Sequence, residues 1–391
     1  QWYLNWILRF FPIIPISPGA SKTALQAVTD ALNAGHVVCL FPEGMISRSG
    51  HLSAFQRGFE KAAAQSDGVI IPFYLHGLWG SRFSRSSDKL KQDKRAGYRR
   101  QVAVDFGPAL DMQSSADQVK QAVIRLSRQS WKRYSQRYPR IERAALQTAK
   151  SFGMRTLIND SSGNRVSGYQ FMTGCRLFAK HIKRHVKGEQ LGFLLPTSSV
   201  GAILNTAALM SGKTLINLNY TMPSASLIRA MEASDIDTIY TAHRFIKQLK
   251  KRGLDVDSWL EGKQVFYLED VAKTFSPMTK AFTLFASVIQ PGWLSRLLWC
   301  RSISSKAVAT ILFSSGSEGT PKGIELSHRN IMSNIKQVAD VLNTRNDDVI
   351  LGSLPLFHAF GLTVTQFLPL VEGVPLVCHP DPTDGLNIAK A

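Results

Sequence analysis

Apolar residues recur at helical spacing through 21–34, at Ala24, Leu25, Val28, Ala31 and Leu32, with Ser21 placed to cap the start and Gly35 to stop the end. A continuous apolar run at 36–41 then predicts a buried strand ended by Pro42, followed by a helix at 55–65 and a strand at 69–75. Between 117 and 150 the pattern turns to one or two basic helices. There Arg125, Arg128, Lys132, Arg133, Arg137, Arg140 and Arg143 are interleaved with Trp131, Tyr134 and Tyr138. Beyond 150 an alternation sets in. Strands are predicted at 191–195, 214–218, 238–240 and 264–268, and helices at 200–210, 224–233 and 243–251. Strands separated by helices of this length imply a parallel sheet covered on its faces, an α/β fold class throughout.

Three apolar stretches raise the question of a membrane. Residues 191–212 and 349–371 carry no charge, but prolines, glycines, Asn205, His358 and Gln366 interrupt them. A spanning helix needs about 20 predominantly apolar residues, so buried strand–helix units explain both better. Residues 281–299 differ, with Phe282, Leu284, Phe285, Val288, Ile289, Trp293, Leu297 and Leu298 forming one apolar face near Arg296 and Arg301. A core helix is the preferred reading there, and a helix lying in a membrane interface is the alternative.

The 391 residues suffice for two or three domains, and 44% hydrophobic with 19% charged residues is ordinary globular composition. The net charge of +19 changes the picture, because it calls for an anionic partner: nucleic acid, an acidic membrane surface, a phosphorylated substrate or an acidic carrier protein. Cys39, Cys175, Cys300 and Cys378 are far apart and fit neither a zinc site nor a disulfide framework, which favours a reducing compartment. No signal-peptide pattern precedes the first helix.

Candidate chemistry begins at Phe41-Pro42-Glu43-Gly44, where the predicted strand ends. Alone, four such residues read equally well as a structural turn. The loop that follows supplies Ser47, Arg48, Ser49 and Gly50, groups that suit an anionic head group because Arg forks onto phosphate oxygens. Phe55, Arg57 and Gly58 then open the next helix, and Ile70-Ile71-Pro72-Phe73 closes the next strand. This ordered set resembles the glycerophosphate and lysophospholipid acyltransferase family. The resemblance implies that Phe41, Pro42, Glu43, Gly44 and Arg48 bind the acceptor's glycerol phosphate. It also implies a catalytic His-x4-Asp pair upstream of Phe41, which this chain lacks. His379 and Asp384 have that spacing, but they stand far downstream, and coincidence is the better reading.

The second candidate is Ser314-Ser315-Gly316-Ser317-Glu318-Gly319-Thr320-Pro321-Lys322-Gly323, which follows a predicted strand at 310–313. Glycines free backbone N–H groups to wrap phosphates, hydroxyls donate, and Lys322 adds a point charge. A Walker A loop does not fit, since Pro321 stands where its second Gly belongs and a strand rather than a helix follows. The string resembles the phosphate loop of the adenylate-forming, acyl-activating superfamily. Leu354-Pro355-Leu356-Phe357-His358-Ala359-Phe360-Gly361 resembles that superfamily's next block, placing His358 beside the acyl and nucleotide pocket. The later blocks and the catalytic Lys of the family would lie beyond Ala391.

An acyltransferase joined to an activating domain is similar to the bifunctional acyl-carrier-protein synthetase/phospholipid acyltransferase branch. The expected layout is the end of an acyltransferase domain at 1–116, a basic helical linker at 117–150 and the first part of an AMP-binding domain at 151–391. The resemblance implies ATP and Mg²⁺, with no metal ligand identifiable in the chain. It implies fatty acid, acyl carrier protein and a lysophospholipid of the 2-acylglycerophosphoethanolamine type as substrates. It also implies a peripheral place on an anionic membrane surface, the cytoplasmic face of the bacterial inner membrane, with or without a fused lysophospholipid transporter. A piece lacking both catalytic elements is expected to be inactive alone. Coenzyme A as the acceptor, in a long-chain acyl-CoA ligase fused to an acyltransferase, is the first alternative. Nucleic-acid binding through Arg125–Arg143 is a remote one, since no recognised motif accompanies it, so no nucleic-acid partner is expected.

Overall fold

The computed structural model describes residues 13–14, 21–93, 102–161, 163–314 and 321–388. The chain divides into two compact units, 1–134 and 135–391. The basic stretch at 117–150 is shared between them: helix Ala116–Ser135 belongs essentially to the first unit and helix Ile141–Phe152 to the second.

In the first unit, helix Ser21–Asn33 packs against helix Gly58–Ala63. Strand β1 (Phe73–His76) pairs antiparallel with β2 (Ala103–Phe106), and a single bridge joins Ile70 to Leu110. The strand expected at 36–41 does not form. Its backbone is irregular, with Val37 99% and Phe41 64% exposed. A strand exists only through hydrogen bonds to a neighbour, and among the described residues no other segment pairs with this one. The aromatics of helix Ala116–Ser135 turn inward, with the Trp131 and Tyr134 rings 4.9 and 3.9 Å from His76. On the same helix Arg133 pairs with the buried Asp105 at 2.5 Å.

The second unit carries the predicted α/β alternation. Its four-stranded sheet, in the order β11-β12-β3-β4, uses β3 (Thr156–Asp160), β4 (Arg165–Ser167), β11 (Ile350–Gly352) and β12 (Leu376–Cys378). Its six-stranded sheet runs β10-β9-β6-β5-β7-β8. These strands are β5 (Gln190–Leu194), β6 (Thr214–Asn217), β7 (Thr238–Thr241), β8 (Gln264–Tyr267), β9 (Val308–Ser314) and β10 (Lys322–Ser327). All neighbours in it are parallel except β9 and β10, which form an antiparallel pair. Helices Ile141–Phe152, Gly168–His185 and Ser199–Met210 build the larger core on this framework. A smaller core gathers Leu194, Ile216, Leu218, Tyr220, Phe245 and Phe357.

Both charge-free stretches have buried centres: every residue of 201–210 is enclosed, as are Leu362, Phe367, Leu368 and Leu370, while Val349 and 358–360 are exposed. Among the described residues no helix is long and apolar enough to cross a membrane. The preferred reading of 281–299 as a core helix is overturned. The segment lies in helices Pro277–Ile289 and Gly292–Trp299, which turn Thr283, Ala286, Ser287, Ser295 and Trp299 inward and leave Phe282, Phe285, Ile289, Trp293, Leu297 and Leu298 outside. Periodicity locates a stripe but does not say which way it faces.

Candidate functional site

In the second unit, β9 delivers Ser314 to the carboxyl edge of the parallel strands, and β10 returns from Lys322, paired in register with Ser314. Residues 315–320, which carry Ser315, Gly316, Ser317, Glu318, Gly319 and Thr320, lie outside the described residues. Their two anchors are described: Ser314 and Lys322 are both exposed, and Pro321 is half-buried. Gly323 lies flat against its cross-strand neighbours, since a Cβ there would stand 3.2 Å from Ile311 and 3.3 Å from Phe313. A lysine and a serine presented at the mouth of a loop, on the edge where open α/β sheets bind ligands, fit an anionic phosphate chain.

The block 354–361 comes to the same place through the fold. The Thr197 hydroxyl, just past β5, donates to the Leu354 carbonyl at 2.9 Å. Phe357 is buried in the smaller core, where its ring sits 5.1 Å from Tyr220 and where Ile311 and Phe313 of β9 also pack. That leaves His358 exposed at the N-terminus of the short helix Ala359–Leu362, beside the exposed Phe360. The block and the β9–β10 hairpin are thus hung on one apolar cluster at one sheet edge, although thirty residues lie between Gly323 and Leu354 in sequence.

Behind this edge lie polar groups that no motif marked. Asp160 accepts from the Ser199 backbone N–H at 2.7 Å and its hydroxyl at 2.5 Å, fixing the start of helix Ser199–Met210 at the end of β3. The buried Asn205 amide donates to Gln366 at 3.3 Å and reaches Asn217 at 3.5 Å, and Gln366 sits in a π-helical turn at Thr363–Phe367. Such turns concentrate at functional sites. The one sequence signal was an Asn inside an otherwise apolar helix.

Deeper in the core Arg140, Glu142 and His328 meet. Arg140 Nη2 lies 3.1 Å from Glu142 Oε1, and His328 Nδ1 lies 3.5 Å from Glu142 Oε2, all three residues being at most 4% exposed. Burial pushes the Glu142 carboxyl up to about 7 against the pull of Arg140. Burial, reinforced by Arg140, pushes the His328 imidazole down to about 3. His379 and Asp384, 3.6 Å apart, follow the end of β12 in this same unit, where no acyltransferase motif accompanies them.

The first unit presents the other motif as a loop. Phe41 rests edge-on against Phe73 of β1 at 5.8 Å. Gly44 has φ +70°, a left-handed turn that glycine adopts without strain, and its N–H donates to the Phe41 carbonyl at 3.0 Å. The Glu43 carboxylate accepts from Ser53 N–H at 2.9 Å, and the Pro42 carbonyl accepts from Gln56 N–H at 2.7 Å. Those two bonds close the loop at its base. Arg48 projects from it, exposed and without a hydrogen bond among the described residues, so its five donors remain available. Among the described residues no three His, Cys, Asp or Glu side chains converge to hold a metal.

Comparison with known proteins agrees with both halves. Residues 1–76 match the acyltransferase family, and 142–390 match the AMP-binding enzyme family. The chain is 24% identical over 191 residues to an acyl-CoA ligase (sidI) of Beauveria bassiana, covering 49% of this chain and 33% of that one. It is 26% identical over 194 residues to 4-coumarate–CoA ligase 1 of Arabidopsis thaliana, covering 48% and 33%. It therefore spans about a third of the length of these curated relatives. Among solved structures, VinN in complex with 3-methylaspartate superposes with a TM-score of 0.50 at 14% identity, over 65% of this chain and 64% of that one. That likeness speaks to the fold. With the AMP-binding match covering well over half of the residues and the acyltransferase match ahead of it, the chain belongs to the AMP-binding enzyme family.

Proposed function

We propose that this chain is part of a bifunctional lipid enzyme that activates a fatty acid with ATP and transfers the acyl group to a lysophospholipid. The observation that carries the reading is the covalent union of an acyltransferase domain with an AMP-binding domain. In the activating half, Lys322 and the Ser314 hydroxyl would grip the triphosphate, whose charge Mg²⁺ would share. The fatty acid carboxylate would attack the α-phosphorus, giving acyl-adenylate and releasing pyrophosphate. His358 and Phe360, exposed on the neighbouring block, would line the pocket that receives acyl chain and nucleotide. The thiol of an acyl carrier protein's phosphopantetheine would then displace AMP to form a thioester.

In the acyltransferase half, Arg48 would bind the phosphate of a 2-acylglycerophosphoethanolamine-type acceptor. Glu43 and Gly44 would hold the loop that presents it, with Phe41 and Pro42 anchoring its base. The net charge of +19 supports an acidic carrier and an anionic membrane as partners. A second reading, with coenzyme A as the thiol, is favoured by the curated relatives, which are named as CoA ligases. The experiment is thioester formation by the enzyme carrying this chain, from labelled fatty acid and ATP, with equal holo-acyl carrier protein or coenzyme A. Product on the carrier supports the proposal, and product on coenzyme A alone replaces it with the second reading.

A further inference from the structure

Helices Pro277–Ile289 and Gly292–Trp299 are inside-out. On the first, the stripe Met278, Phe282, Phe285 and Ile289 follows helical spacing, and its members are 82%, 67%, 61% and 59% exposed. The opposite stripe, Thr283, Ala286 and Ser287, is buried against helix Gly168–His185, with the Ser287 and Thr173 hydroxyls 3.1 Å apart. The second helix buries Trp299 at its end but otherwise repeats the arrangement: Ser295 is fully buried, its hydroxyl unpartnered, while Trp293, Leu297 and Leu298 are each at least 60% exposed. A helix in water ordinarily turns the other way, with large apolar groups inward and hydroxyls outward. Contiguous exposed apolar faces of this kind mark an interaction surface.

Charge identifies what covers it. No Asp or Glu occurs between Asp270 and Glu318, whereas Lys280, Arg301 and Lys306 are exposed on or just past the two helices. A large apolar face, a tryptophan on it, basic flanks and no acidic residue are what a helix lying in an anionic lipid interface requires. Neither helix is long enough to cross a bilayer, so the arrangement is one that lies on the membrane. A second copy of this chain would bring the same basic flanks against themselves.

We propose that Pro277–Trp299 is a monotopic docking surface for an anionic bilayer. Its apolar stripe sits among the acyl chains, and Lys280, Arg301 and Lys306 sit among the headgroups. This stands on the surface alone and not on the reaction proposed above. The test uses the whole chain with vesicles of phosphatidylglycerol and phosphatidylcholine, against phosphatidylcholine alone. Wild type should float with the anionic vesicles and less so at high salt. The triple variant Phe282→Ser, Phe285→Ser, Leu297→Ser should bind at least about tenfold more weakly with its melting temperature unchanged, since the residues are exposed. Lys280→Gln with Lys306→Gln should weaken binding to the anionic vesicles by roughly tenfold or more and leave phosphatidylcholine unaffected. Brominated lipid should quench an emission component that Trp293→Phe removes. Triple-variant binding equal to wild type would overturn the proposal. So would wild type that floats with neither vesicle and forms a dimer that the triple variant abolishes, or a variant whose melting temperature drops because the chain itself covers the face.

Discussion

Gly361→Ala tests whether the block that presents His358 is held as tightly as the structure implies. A Cβ at Gly361 would stand 2.2 Å from the Pro355 carbonyl oxygen and 3.2 Å from that of Leu354. Neither oxygen is free to retreat. The first accepts from His358 N–H at 3.2 Å and the second from the Thr197 hydroxyl at 2.9 Å. Relieving the overlap means overpacking, at about 1–3 kcal/mol, with one of those hydrogen bonds lost or stretched at about 1 kcal/mol more. A total of about 2–4 kcal/mol corresponds to roughly 4–16 °C in the melting temperature of a unit this size. Calorimetry on wild type, Gly361→Ala and Gly385→Ala measures it. Gly385 has open space around its missing Cβ, so its variant should fall within about ±0.5 kcal/mol of wild type. Because His358 lies between the clashing atoms, acyl-adenylate formation should fall with the melting temperature. A Gly361→Ala protein melting within about 1 °C of wild type would refute the packing argument.

Lys322→Met should weaken ATP binding by roughly 10- to 100-fold, the loss of one charge-assisted hydrogen bond, without lowering the melting temperature, since Lys322 is exposed; titration with a fluorescent ATP analogue decides it, and unchanged affinity would remove Lys322 from the site. Glu43→Gln weakens the acceptor for Ser53 N–H and should slow transfer from pre-made acyl carrier protein to lysophospholipid several-fold. Pyrophosphate release by the same variant should not change, and its loss would join two sites assigned here to separate units. His328 supplies a pH signature. Its folded pKa, depressed to about 3 by burial, lies below its ordinary 6.5, so its contribution to stability is complete above pH 6.5 and is lost as pH falls towards 3. The stability advantage of wild type over His328→Gln should therefore grow by about 1.4 kcal/mol per pH unit between those limits. Denaturant titrations at several pH values measure it, and an advantage that is flat or shrinks with pH would show that His328 is charged in the fold. Glu142, raised to about 7, works in the opposite sense: its contribution is present below its ordinary 4.5 and is lost as pH rises to 7. Wild type should accordingly show little net slope from this pair between 4.5 and 6.5.

The sequence by itself determined the local elements of the second unit. β5 to β9 and the helices at 199–210, 224–233 and 243–251 form close to where the apolar periods placed them, because a run of buried side chains and its turn residues specify strand or helix over a few neighbours. It also marked the hairpin ends at Ser314 and Lys322 and the block around His358, since phosphate binding demands hydroxyls, glycine and a cation close together in the chain. What it left open depends on partners distant in sequence. The strand period at 36–41 named no neighbour, and without one the segment stays irregular. The apolar stripe at 281–299 had a correct period and the wrong expected direction, because burial is decided by what packs on the other side: Thr283, Ala286, Ser287 and Ser295 fit closely against the unit while Phe282 and Leu297 do not. The union of His358 with the β9–β10 hairpin rests on Thr197, Phe357, Tyr220 and Phe313 meeting from four separate segments, and the Arg140–Glu142–His328 cluster joins residues almost two hundred positions apart. Contacts of that reach exist only when the sheets have assembled, so tertiary structure decided them.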